Sequence, residues 1–93
     1  MKGNTLNEFI DSLYLNCDKE IVFHNRKMMI EAWLNPEEAT YTLRVFECSE
    51  GEPVLFSKTA SDRSGCVASF EEAKIFDGKT VYEAESEIEV LYD

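Results

Sequence analysis

The feature that most constrains this chain is an alternation of apolar and polar residues on both sides of Asn25-Arg26. Glu20–His24 and Lys27–Leu34 are rich in β-branched and aromatic residues, and Asn accepts the positive φ that a tight hairpin turn requires. Side chains alternate across a strand. A two-residue turn at Asn25-Arg26 sets His24 against Lys27 and Phe23 against Met28. One face then collects Ile21, Phe23, Met28, Ile30, Ala32 and Leu34, and is a core face. The other collects Glu20, Val22, His24, Lys27, Met29, Glu31 and Trp33. The same register places Glu20 opposite Glu31, a mildly unfavourable pair.

Around this hairpin the other elements fall into place. Leu6, Phe9, Ile10, Leu13 and Tyr14 form a helical stripe. Thr5 and Glu8 make a capping box before it, and Asn16 ends it. Asn35-Pro36-Glu37-Glu38 is a turn. Thr40–Cys48 is a third strand with Tyr41, Leu43 and Val45 inward. Val54–Lys58 is a fourth, and Pro53 at its start marks an edge. Cys66, Val67, Phe70 and Ala73 or Lys74 suit a helix over 62–75, broken by Asp77-Gly78. Thr80–Tyr92 fits two periods. Its helical stripe is Val81, Ala84, Ile88 and Leu91, with Thr80 and Glu83 as a capping box. Its strand reading alternates Tyr82, Ala84, Ser86, Ile88, Val90 and Tyr92 with Glu83, Glu85, Glu87 and Glu89. Glu and Ala favour helix, and four like charges along one strand face repel. The expected architecture is therefore a single α+β domain: N-terminal helix, four-stranded antiparallel meander, and two C-terminal helices, with a strand as the competing reading of the last segment.

Charge excludes some partners. The chain has 93 residues and a formal charge of −10. Binding nucleic acid directly needs a basic patch, and an anionic membrane attracts basic segments, so neither is an expected partner. The acidity is uneven: residues 1–46 carry −2 and residues 47–93 carry −8. No signal peptide or spanning apolar run stands out. Cys17, Cys48 and Cys66 read as reduced thiols of a cytoplasmic protein, small buried hydrophobes with no disulfide framework.

Chemistry-bearing patterns are weak. Ala73-Lys74-Ile75-Phe76-Asp77-Gly78-Lys79-Thr80 matches a loosened phosphate-loop pattern. However, the first glycine is missing, and Ile75 and Phe76 look like core where a buried parallel strand should end. His24 is the lone histidine; a nucleophile–base pair would draw on it with Cys17, Cys48, Cys66 or Ser64, but the hairpin places it beside a tight turn on the mixed face, a solvent-exposed place. The alternate glutamates lack calcium-loop spacing. No metal, cofactor or catalytic residue is expected, and the chain reads as a non-enzyme.

The second sheet face is more telling. Met29, Trp33, Phe46 and Leu55 lie on it, either covered by the two C-terminal helices or open to a protein partner or a second copy of the chain. Glu83 and Glu87 represent an acidic docking face. These six residues are the candidate interaction surface of a small protein–protein interaction module. The alternative is an acidic inhibitor that mimics nucleic acid and blocks a basic protein such as a nuclease or restriction factor, resting on the −8 of the second half.

The run Ala73–Thr80 with Glu83 and Glu87-Ile88-Glu89, and Glu20-Ile21-Val22-Phe23 with Lys27 and Ile30-Glu31, resembles small uncharacterised acidic proteins of Gram-positive bacteria and their mobile elements. The resemblance implies an accessory role and no known activity or catalytic residue.

Overall fold

The computed structural model describes residues 1–15 and 17–92. Helix α1 (Leu6–Ser12) leads into strands β1 (Cys17–Phe23), β2 (Arg26–Asn35), β3 (Thr40–Glu47) and β4 (Val54–Ala60). Helix α2 (Arg63–Glu72) and a short 3-10 turn (Glu85–Glu87) precede β5 (Ile88–Tyr92). The sheet is antiparallel with order β4-β3-β2-β1-β5. This corrects the expected four-stranded meander with two C-terminal helices: the last segment returns to the sheet as a fifth strand. No helix among the described residues is long and apolar enough to cross a membrane.

The end of the chain obeys both of its periods, each over its own part. The Thr80–Glu83 box forms as a capping box should: the Thr80 amide donates to Glu83 Oε1 at 2.9 Å and the Glu83 amide to Thr80 Oγ1 at 3.3 Å. One turn follows, burying Val81 and Ala84. Alternation then takes over, and Val90 pairs with Ile21 and Ile88 with Phe23. Without β5, the buried residues Ile21 and Phe23 would sit on an edge strand with open ladder groups. Closing that edge outweighs the helix propensity of Glu and Ala. Of the four glutamates, only Glu89 enters the strand, so the feared row of like charges does not form.

The first hairpin also turns one residue earlier than its composition suggests. Phe23 pairs with Arg26, so His24 and Asn25 form the turn, with φ of +50° and +63°. Two consecutive positive φ values define the type I′ turn that matches strand twist. The pairing sum shifts by two residues, so each side chain keeps its expected face. Glu20 now faces Met29 instead of Glu31 and forms an ion pair with Lys27 at 3.5 Å.

Both helices pack on one face. Thr5 caps α1, which buries Phe9; Leu13 beyond its end is also buried, whereas Tyr14 is exposed. Asn16, expected to end it, lies outside the described residues. Asp62 caps α2 through the Gly65 amide at 2.8 Å, and α2 buries Cys66, Val67 and Phe70. These join Ile21, Phe23, Met28, Ile30, Ala32, Leu43, Val45, Phe76, Val81, Ala84, Ile88 and Val90 in one core. Leu34, expected there, is 41% exposed. Lys19 is buried on this face, its ammonium 5.9 Å from the Phe9 ring centroid. Cys66 is buried, with its thiol directed at the carbonyls of Tyr41 and Lys58, but Cys48 is exposed at the end of β3, against expectation. The side chain of Cys17 lies outside the described residues.

The edges differ. β5 is covered beyond Ile88 by the N-terminal segment: the Lys2 amide donates to Ile88 O at 3.0 Å and the Val90 amide to Lys2 O at 2.8 Å. β4 is the free edge, as Pro53 suggested.

Candidate interaction surface

The face opposite the helices carries no covering element among the described residues, so the expectation that C-terminal helices cover it is corrected. Met29, Trp33 and Phe46 stand on it, each half-buried. Leu55 does not. It is the extra residue of a bulge between the Val45–Phe56 and Phe46–Val54 pairs, and it packs against the core. A bulge turns one side chain out of phase, and Val54 takes the position beside Phe46.

Arg44 organises this surface, and periodicity alone did not single it out. It pairs across the ladder with Glu31, and its Nη2 and Nε lie 2.5 and 3.2 Å from Glu31 Oε1. Its guanidinium is 5.3 Å from the Trp33 ring centroid and 5.5 Å from that of Phe46. The cation is therefore stacked between two aromatics and held by a carboxylate. The detectable signal was an opposite-charge pair across β2 and β3, visible once those two strands are set in register.

Below the stack runs a polar chain. The Trp33 indole donates to Asn35 Oδ1 at 3.0 Å, and Asn35 Nδ2 donates to Thr40 Oγ1 at 3.2 Å and to Thr42 Oγ1 at 2.9 Å. Thr42 and Thr59 share a further hydrogen bond at 2.8 Å. The indole ring thus has a fixed edge, so little rotamer freedom remains to be lost on contact with a partner.

Glu83 and Glu87 lie elsewhere. Glu83 is consumed by the turn at Thr80, whose amide holds its carboxyl below the usual range. Glu87 belongs to a charged clasp at the top of the sheet. His24 Nδ1 is 3.1 Å from Asp77 and Nε2 is 2.5 Å from Glu87. Arg26 pairs with Asp77 at 2.8 Å and Lys79 with Glu87 at 2.8 Å. Both ring nitrogens face carboxylate oxygens, an arrangement only the doubly protonated imidazolium satisfies. The ring also stacks on Phe23, with centroids 3.9 Å apart.

The clasp has a pH signature. The Glu87 hydrogen bond, helped by Asp77, raises the His24 pKa above its ordinary 6.5. A raised folded pKa contributes stability that is complete below 6.5 and lost as pH rises through the folded value. Glu87, lowered by Lys79 and then His24, and Asp77, lowered by His24 and then Arg26, lose their contribution as pH falls through the carboxylate range. Thermal melts should therefore show a midpoint falling as pH climbs above 6.5; His24→Asn should flatten that limb and also weaken the acid limb, because His24 helps hold Asp77 and Glu87 ionised. A wild-type melting profile unchanged across the upper limb would contradict the clasp.

The phosphate-loop-like run folds as a turn. Phe76 and Lys79 exchange both backbone hydrogen bonds at 3.1 Å, with Asp77 at φ +54° and Gly78 at +82°. The Phe76 and Lys79 amides are thereby spent on each other's carbonyls, and the Thr80 amide on Glu83. No protein-family model matches the chain, and no curated protein or solved structure matches it either.

Proposed function

We propose that this chain is a non-enzymatic cytoplasmic interaction module that docks a protein partner on the uncovered face of its sheet. The observation that carries this reading is the Trp33–Arg44–Phe46 stack, left open while both helices pack on the other side. Trp, Arg, Phe and Met are the residue types enriched where interfaces form. The edges favour the face as well. β5 is engaged by Lys2, and β4 follows Pro53 and carries a bulge and Lys58, features that discourage strand addition. His24 has both ring nitrogens on carboxylates, so its ring serves the clasp with Asp77 and Glu87.

Photocrosslinking in cells tests the reading. A benzophenone side chain placed at Phe46 or Val54 should yield a discrete adduct, and one at the exposed Ala68 of α2 should not. Trp33→Ala should then weaken that complex by about tenfold to a thousandfold. Equal adducts from Ala68, or a complex indifferent to Trp33, would sink the proposal. An adduct of two copies would identify a homodimer.

The acidic-mimic reading has less support. The described carboxylates of the second half spread over the end of β3, the β3–β4 loop, α2 and its cap, the turns and β5. Five of them, Glu47, Asp77, Glu85, Glu87 and Glu89, already sit within ion-pair distance of the chain's own cations. A complex that survives Trp33→Ala but is lost on neutralising Glu83 and Glu85 would favour that reading instead.

A further inference from the structure

The open face is divided. Over β2, β3 and β4 it presents Met29, Trp33, Phe46 and Val54 around the Arg44 stack. Over β1 and β5 it presents Asp18, Glu20 and Glu89, placed there by the pairings Asp18–Glu31, Glu20–Met29 and Val22–Glu89. Among the described residues, the ion pairs of this face are Lys27–Glu20, Arg44–Glu31 and Lys2–Glu89. None of them reaches Asp18. It stands directly across the ladder from Glu31, and like charges so placed repel. Among the described residues, Asp18 is thus a carboxylate of this face outside its ion pairs, beside an apolar, aromatic stripe, and is a charge complement still unfilled.

On the open-face reading, on which this step rests, we propose that the partner docks a basic, amphipathic protein segment. Its Lys or Arg side chains lie over Asp18 and Glu20, and its apolar side chains lie over Met29, Trp33 and Phe46. Three points favour this occupant. A second copy is the wrong sign: each chain carries −10, and face-to-face packing sets carboxylates against carboxylates or against the aromatic stripe. Nucleic acid is excluded by the same sign. The face also has the right size for a segment. Five strands about 4.8 Å apart and about 25 Å long give roughly 500–600 Å², below the about 800 Å² per partner of a standard interface between globular proteins.

The test is a nuclear magnetic resonance titration of the whole chain with three synthetic peptides of equal length: alternating lysine and leucine, alternating glutamate and leucine, and alternating serine and leucine. The lysine peptide should shift the Trp33 indole and Met29 methyl signals and leave the α2 signals in place. Asp18→Asn with Glu20→Gln should weaken it about three- to tenfold at low salt. Glu50→Gln with Glu72→Gln removes the same charge away from the face and should leave affinity unchanged. The cationic assignment is overturned if the two double variants behave alike, or if the glutamate or serine peptide binds the face as tightly. In those cases the open-face reading survives provided binding still depends on Trp33. If no peptide shifts Trp33 or Met29, the basic-segment assignment falls, and crosslinking at Phe46 then decides the open-face reading separately.

Discussion

Replacing Phe70 with alanine is expected to destabilise the domain by about 3–5 kcal/mol, the usual penalty for removing a buried aromatic ring. Phe70 is fully buried. Its ring lies 5.9 Å from Phe56 on β4, 6.4 Å from Phe9 on α1 and 6.4 Å from Phe76 in the turn after α2. Phe76 continues the cluster to Phe23 at 5.3 Å. Three other segments therefore converge on one side chain of α2, and the cavity left by alanine is bordered by elements that cannot all close on it at once. Domains of this size hold about 5–15 kcal/mol in total, so the variant should be marginal at room temperature. Urea titration of wild type and variant checks this through the midpoint, with the slope unchanged. Phe46→Ala on the open face is the contrast and should cost about 1 kcal/mol or less. Equal losses for the two would mean that the helices do not define the core side.

Gly3→Ala carries the second large effect. Gly3 has φ +86°, and a Cβ there would stand 2.4 Å from the carbonyl oxygen of Val90. That atom is backbone in β5, so it cannot swing aside. The segment would lift away, losing the two hydrogen bonds between Lys2 and β5, at about 1 kcal/mol each, and part of the packing of Met1 on the core. The expected loss is about 2–4 kcal/mol. Gly51→Ala isolates the backbone part: its φ is +82° and nothing lies within 4 Å, so the left-handed conformation alone should cost about 1–2 kcal/mol. Hydrogen exchange should locate the difference, with the Val90 amide losing protection in Gly3→Ala and keeping it in Gly51→Ala.

Much of the fold was legible because burial and strand alternation agree in residues 20–60. Ile21, Phe23, Met28, Ile30, Leu43 and Val45 can share a face only if the strands alternate, and they do. The hairpin turn was misplaced because Asn25 advertised positive φ while His24, which also tolerates it, did not. The slip was harmless to the faces, since the register moved by an even step. The last segment misled for a different reason. Its capping box and Glu content are local signals, and what decided it was remote: the unpaired outer edge of β1. Leu55 was misassigned because a bulge inserts a residue without a composition signal of its own. Arg44 carries no periodic signal of its own, because its place between Trp33 and Phe46 depends on three cross-strand pairings together.

The clasp of Lys2 on β5 also has a consequence for synthesis on the ribosome. β1 is made well before its outer neighbour, and the segment that covers β5 is made before both. At about 5–20 residues per second, the 64 residues between Phe23 and Ile88 leave that edge waiting for several seconds. Throughout that interval the nascent chain exposes an unfinished strand carrying Ile21 and Phe23. A message that ended before Ile88 would leave both β1 and Lys2 without the strand that joins them, turning a finished sheet into one open to pairing with its neighbours.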